Sequence, residues 1–165
     1  MKTLIVLSSP PACGKTTWSI NFQKQHANTF IVAVDELRQE LLGRLDKNYV
    51  KEDLWNLFDD RIREYASYDL DNLVVIADSA FTLNKHRRQV VERHPEFDRY
   101  VLVLFTCLIE ESIENNQSRD DDLKVLDDKF FKDWEEFEKP DIDTLEIYDE
   151  FIRVIGNYKR TKVNK

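Results

Sequence analysis

The tripeptide Gly14-Lys15-Thr16, placed just after an apolar run, constrains this chain more than any other feature. Thr3-Leu-Ile-Val-Leu7 reads as a buried strand, the Pro-Pro stretch after it as a turn, and Trp18, Ile20 and Phe22 as part of an opening helix. Ser9-Pro-Pro-Ala-Cys-Gly-Lys-Thr16 follows the pattern G-x-x-x-x-G-K-[ST] everywhere except its first position, where Ser9 replaces glycine. The physics of that pattern is specific. Backbone amides in the loop converge on phosphate oxygens, the following helix adds its positive N-terminal end, and Gly14 lets the backbone come close. The pattern predicts a phosphate-binding loop made of Ser9, Pro10, Pro11, Ala12, Cys13, Gly14, Lys15, Thr16 and Thr17. Lys15 would reach the β- and γ-phosphates of ATP, Thr16 would place its hydroxyl on Mg²⁺, and Thr17 would bond a neighbouring phosphate oxygen. Cys13 is either a thiol made reactive by the helix N-terminus or a small filler of the loop.

The style of the first strand recurs in Phe30-Ile-Val-Ala-Val34, Leu73-Val-Val-Ile-Ala77 and Tyr100-Val-Leu-Val-Leu-Phe105. Continuous β-branched runs of this length suit strands buried on both faces of a parallel sheet. Between them, Val50, Leu54, Leu57, Phe58, Ile62 and Tyr65 form an apolar stripe at helical spacing, and Tyr148, Phe151, Ile152 and Ile155 form another. Strands alternating with helices predict an open, doubly wound α/β sheet, with Leu145-Glu-Ile147 as the candidate fifth strand. From Arg119 to Lys139, acids and lysines mix with Phe130, Phe131, Trp134 and Phe137 without one clean period, as in a lid or a charged helical excursion.

A chain of 165 residues with 42% hydrophobic composition is the size of one compact domain, expected to span 1–165. Its apolar runs are far shorter than the roughly 20 residues that cross a bilayer. Two cysteines argue against a disulfide framework and against a four-ligand zinc site, which fits a soluble protein of the reducing cytoplasm. The net charge of -8 is local: between Thr106 and Glu150 there are 17 acids and 5 bases, so the remainder carries a net +4. Such a balance disfavours extended duplex binding but allows contact with one strand end. The basic stretch from Phe151 to Lys165 reads as cations at a helix C-terminus followed by a frayed tail.

Phosphoryl transfer requires more than a nucleotide loop. Asp35 follows the second strand, and Arg38 lies three residues later, on the adjacent turn of one helix face. A carboxylate there can take a hydroxyl proton while the guanidinium holds a phosphate or the developing charge, at the strand ends where open α/β sheets bind ligands. The same aspartate also suits a helix N-cap.

These residues, with Pro-Ala-Cys-Gly-Lys-Thr-Thr-Trp at 11 to 18, Asp-Glu-Leu-Arg at 35 to 38, Ile-Ala-Asp-Ser at 76 to 79, Asn84, Arg87-Arg88 and Asn116-Gln-Ser-Arg119, give the chain a family likeness. It resembles the small P-loop kinases that include the kinase domain of polynucleotide 5′-kinase, with zeta-toxin-type sugar kinases as near relatives. The resemblance implies a three-layer P-loop NTPase sandwich with a five-stranded parallel sheet in the order 2-3-1-4-5. It implies catalytic roles for Lys15, Asp35, Arg38 and Arg119, with Asp35 as general base and Arg119 as the arginine of a lid at 119–139. It makes Asp78 the carboxylate beside the loop that, with Thr16, serves Mg²⁺. Arg87 and Arg88 are candidates for an acceptor phosphate or, alternatively, solvated helix residues.

Two departures qualify the likeness. Ser9 lacks the loop's first glycine, and Asp120-Asp-Asp122 would repel a polyanionic strand passing the lid. The expected activity is transfer of the γ-phosphoryl group of ATP to a 5′-hydroxyl of nucleic acid or a nucleotide. The alternatives are a small-molecule kinase acting on a nucleoside, sugar or antibiotic, and a nucleotide-binding module or NTPase without an acceptor.

Overall fold

A computed structural model describes residues 1–44, 46, 49 and 51–156. The strands are β1 (Thr3–Ser8), β2 (Thr29–Ala33), β3 (Val74–Asp78), β4 (Arg99–Thr106) and β5 (Glu150–Ile155). The helices are α1 (Lys15–Gln25), α2 (Val34–Leu42), α3 (Glu52–Ala66), α4 (Asn84–Arg93), α5 (Ile109–Gln117), α6 (Asp127–Glu136) and α7 (Ile142–Glu146), with a 3₁₀ turn at Asp121–Leu123. Every strand pair is parallel, and the sheet order is β2-β3-β1-β4-β5, as the resemblance implies.

The alternation of a β-strand divides the core between the two faces of this sheet. Leu4 and Val6 of β1, Val75 and Ala77 of β3 and Leu102 of β4 pack with Leu54, Phe58 and Ile62 of α3. Their neighbours Ile5, Leu7, Ile76, Val101, Val103 and Phe105 face the other way, towards Trp18 and Phe22 of α1. Each fully buried side chain of this kind stabilises the fold by about 1.5–3 kcal/mol. This is why the central strands read as unbroken apolar runs: both faces are covered. The helical stripe of α3 is confirmed from Leu54 to Tyr65, while Val50 lies outside the described residues.

The fifth strand corrects the sequence reading. Leu145 and Glu146 belong to α7 and Ile147 follows as its C-cap, whereas Glu150–Ile155, expected to be helical, is β5. The spacing of Tyr148, Phe151, Ile152 and Ile155 fits a helix, but the segment is rich in β-branched residues and pairs with β4 from Val101↔Glu150 to Thr106↔Ile155. As an edge strand it buries little: Ile152 and Val154 pack against the sheet's second core, and Ile155 is 79% exposed. Arg153 therefore sits in a strand rather than near a helix end, and the tail from 157 to 165 lies outside the described residues.

The stretch from Arg119 to Lys139 resolves into the 3₁₀ turn and α6. Phe130 is buried, Phe131 is exposed, and Trp134 donates from Nε1 to Ser112 Oγ on α5 at 3.0 Å. Among the described residues, no helix is long and apolar enough to cross a membrane.

Candidate active site

The sheet brings the expected groups together at the carboxyl ends of its strands. β1 runs between β3 and β4, so the loop that follows it emerges beside Asp78, the last residue of β3, while Asp35 lies in the first turn of α2 just after β2. Ala33 is the N-cap of α2, so Asp35 is not the cap; as a first-turn acid it still complements the helix dipole.

Local backbone geometry explains the loop's composition. Gly14 caps α1 with φ of 91°, a conformation that suits glycine because it has no Cβ to clash. Ala12 takes φ of 56°, whereas Ser9 is not among the positive-φ residues, so its missing glycine is not required by the backbone. The amide of Ser9 donates to Ala80 O at 2.9 Å, and its hydroxyl donates to Pro10 O at 2.6 Å. From α5, Ser112 Oγ donates to Pro11 O and Asn115 Nδ2 to Ala12 O at 3.0 Å. One turn of α5 thus grips two successive loop carbonyls, a role for Ser112 and Asn115 that the sequence reading missed; their i,i+3 spacing is the only local hint.

The two cysteines are also corrected by the fold. Cys13 and Cys107 form a disulfide, with Cα atoms 5.9 Å apart. They are 94 residues apart in sequence, yet β1 and β4 are neighbours with Ser8 opposite Leu104, so their following segments start side by side. Cys13 is accordingly neither a free thiol nor an isolated filler.

Lys15 and Asp78 form the first charged pair of the site. The Lys15 ammonium lies 3.4 Å from Asp78 Oδ1, and Asp78 is 3% exposed. That oxygen is fully buried and has no hydrogen-bond partner among the described residues. The two observations are compatible, because an ion pair at this separation does not require a well-aligned hydrogen bond. A buried carboxylate oxygen with unused lone pairs beside a phosphate loop fits a water of hydrated Mg²⁺, with the exposed Thr16 hydroxyl as the direct ligand. Among the described residues, no cluster of three or more His, Cys, Asp or Glu side chains could hold a metal alone. Mg²⁺ ordinarily needs only one or two protein groups besides phosphate and water.

Asp35, Arg38 and Arg119 form the second group. Arg38 Nη1 donates to Asp35 Oδ1 at 2.7 Å and Nε donates to Tyr49 O at 2.8 Å, so the guanidinium is pinned rather than solvated. Burial pulls Arg119 below the ordinary arginine value while the Asp35 carboxylate acts in the opposite sense. Arg119 lies just past α5, and the neighbouring Asp121 pairs with Lys124 at 3.1 Å.

Arg87 and Arg88 do not join the site. Arg87 is completely buried: Nε donates to Ser8 Oγ at 3.0 Å and to Phe81 O at 2.9 Å, Nη1 to Asn84 Oδ1 at 2.8 Å, and Nη2 to Glu138 O at 2.7 Å. The Phe137 ring lies 5.1 Å from its guanidinium carbon. Burial lowers Arg87 to about 10, with Glu138 and other acidic groups opposing the fall. Arg88 reaches Thr144 Oγ1 at 2.9 Å and Asp141 at 3.4 Å, away from the loop. Neither is free to meet an acceptor phosphate.

A cavity of about 920 Å³ opens between α3 and α4, beginning at Ser79, one residue beyond Asp78. Trp55, Phe58 and Phe81 supply aromatic surface, Glu52, Asp59, Asp60, Arg63 and Arg93 mix both signs of charge, and burial lowers His86 below the ordinary imidazole value. Phe81 is held at φ of 43°, and its carbonyl accepts from both Ser8 and Arg87. A bulky residue in this region is strained and persists only because its surroundings fix it.

No curated protein sequence matches the chain significantly. Among solved structures, Chaetomium thermophilum Kti12 in complex with ADP-AlF3 is similar with a TM-score of 0.69 at 14% identity, over 92% of this chain and 88% of that one. A fungal RNA kinase gives 0.64 at 16% identity, over 93% and 73%. A gluconokinase of Sinorhizobium meliloti gives 0.56 at 15% identity, over 93% and 82%. At these identities the likeness establishes the fold. The family described as AAA domain matches residues 4–139, which takes in the phosphate loop, Asp35, Asp78 and Arg119. The chain belongs to that AAA domain family, within the P-loop kinase fold.

Proposed function

We propose that the protein is an ATP-dependent phosphotransferase that moves the γ-phosphoryl group to an acceptor hydroxyl. The observation that carries this reading is the presence of two charged pairs after the strand ends: Lys15 with Asp78 beside the phosphate loop, and Asp35 with Arg38 on α2 after β2. A simple nucleotide-binding module has no need of the second group. Lys15 holds the phosphates, and Thr16 and Asp78 would hold Mg²⁺, which when bound would neutralise charge on the phosphate oxygens. Asp35 orients the acceptor hydroxyl and receives its proton. Arg38, fixed by the Tyr49 carbonyl, keeps that carboxylate aimed. Arg119 meets the transferred charge at closure, within a lid formed by 119–139.

The preferred acceptor is a 5′-hydroxyl of nucleic acid or of a nucleotide, in keeping with the structural likeness to an RNA kinase. The cavity next to Asp78 supports a second reading, a small neutral acceptor such as a nucleoside or sugar. Its mixed charges do not form the basic track that a polyanionic strand requires. The test is transfer from γ-labelled ATP to 5′-hydroxyl oligonucleotides and to a panel of small alcohols, with Asp35→Asn alongside. Label on oligonucleotides alone supports the first reading, and label on small alcohols alone supports the second. Label appearing only as free phosphate, unchanged by the substitution, would overturn both in favour of an NTPase.

A further inference from the structure

We infer that Cys13 and Cys107 are a redox-active pair, a target for dithiol reductants, and that their bridge restrains the hinge on which Arg119 is carried. The regulatory part of this inference rests on the phosphotransferase reading; the redox part does not. Cys13 directly precedes Gly14 of the phosphate loop and is 1% exposed. Cys107 is half-buried at the junction between β4 and α5, where a chain pivots if the helix is to move relative to the sheet.

The asymmetry in exposure sets the chemistry. An external thiolate attacks the sulfur of Cys107, the less buried residue of the pair, forms a mixed disulfide there and expels Cys13 as a thiolate, an anion placed near the N-terminal end of α1. The second thiol of the reductant then attacks its own sulfur in the mixed disulfide and releases Cys107. The protein gains two electrons and two protons, and the reductant leaves as a disulfide. In oxidation by glutathione disulfide, the Cys107 thiolate breaks the glutathione S–S bond, forming a mixed disulfide and releasing one reduced glutathione, and the Cys13 thiolate then closes the bridge and releases the second.

The phosphate loop does not depend on the bridge for its shape. In the bridged structure the Ala80 carbonyl, Ser112 and Asn115 also hold it by hydrogen bonds. What the bridge adds is a covalent tie between the loop and the root of α5, whose far end leads into Arg119. Reduction leaves α5 held to the loop by the weaker hydrogen bonds of Ser112 and Asn115 alone, which open more readily than a covalent link, so the arginine-bearing segment moves more often while the loop keeps its shape and nucleotide affinity stays nearly constant.

The experiment compares the full chain oxidised by glutathione disulfide with the chain reduced by dithiothreitol, with thiol counts read by alkylation and mass spectrometry. Trypsin cleavage after Arg119 and ATP binding are then measured in both states. The expected result is one intramolecular disulfide after oxidation, cleavage about tenfold slower than in the reduced state, and ATP affinity changed by less than about threefold. Cys107→Ser should behave as reduced protein under both conditions. Failure to form the disulfide, or equal cleavage rates in both states, would overturn the inference. None of these readouts requires an acceptor, so a failed phosphotransfer assay would leave them intact.

Discussion

The ammonium of Lys15 lies 3.4 Å from Oδ1 of Asp78, a buried oxygen that accepts no hydrogen bond from any described residue. Such an oxygen is costly to keep in a folded protein unless a ligand uses it.

Asp78→Asn keeps the shape and removes the charge. Transfer should fall about a hundredfold, and half-maximal rate should require more Mg²⁺. Nucleotide binding without metal should change little. Steady-state rates across a Mg²⁺ titration decide the matter, and an unchanged Mg²⁺ dependence would remove Asp78 from the metal's surroundings.

Asp35→Asn should reduce transfer to the acceptor by about 10²–10⁴-fold while leaving slow, acceptor-independent ATP hydrolysis in place. The amide also offers Arg38 a weaker acceptor, so acceptor KM should rise with the fall in kcat. Equal losses in transfer and in hydrolysis would place Asp35 with the nucleotide instead.

Ser9→Gly tests whether the missing first glycine matters. Since Ser9 adopts no positive φ, its replacement should leave ATP affinity within about threefold and lower stability slightly, by about 0.5–1 kcal/mol, through greater freedom of the unfolded chain. Isothermal titration with ATP and denaturant unfolding measure the two effects separately.

Arg87→Met should destabilise the fold by about 3 kcal/mol, because the carbonyls of Phe81, Thr82 and Glu138 lose a donor that methionine cannot supply. Arg87→Lys should recover only part of this loss, since an ammonium cannot span the fork of contacts. Urea midpoints of the three proteins give the ranking.

Asp141 provides the pH test. Hydrogen bonds from the Thr144 side chain and backbone amide, with Arg88 beside them, hold its carboxyl below the ordinary value of 3.8. A carboxyl lowered in the folded state binds fewer protons there than in the unfolded chain. Its stabilisation is therefore complete above 3.8 and is lost as pH falls from that value through the lower folded one. Asp141→Asn should flatten this part of the stability profile while preserving the α7 cap. Denaturant unfolding followed from neutral pH into that acid window checks it.

These residues also show where sequence reasoning reached and where it stopped. The central strands were legible because burial on both faces leaves an unbroken apolar run, and the loop was legible because phosphate binding demands Gly14, Lys15 and Thr16 in fixed order. The pairing of Asp35 with Arg38 followed from one helical turn. β5 was misread because Tyr148, Phe151, Ile152 and Ile155 satisfy a helical spacing, and only pairing with β4 decides between the periods. The Cys13–Cys107 bridge needed the strand order before it could be seen. Arg87 was misread for a different reason: its partners are mostly backbone carbonyls, which carry no residue signature.

Arg87 joins Ser8, at the end of β1, to the carbonyl of Glu138, just past α6. The opposite end of the same excursion is moored at the start of α5 through Cys107 and the grip of Ser112 and Asn115 on the phosphate loop. Between these moorings Trp134 donates to the same Ser112 that grips the phosphate loop, and Asn116 exchanges hydrogen bonds with Val125. The excursion is thus registered along its length on the ends of β1 and β4, the two strands that lead into the loop and the bridge.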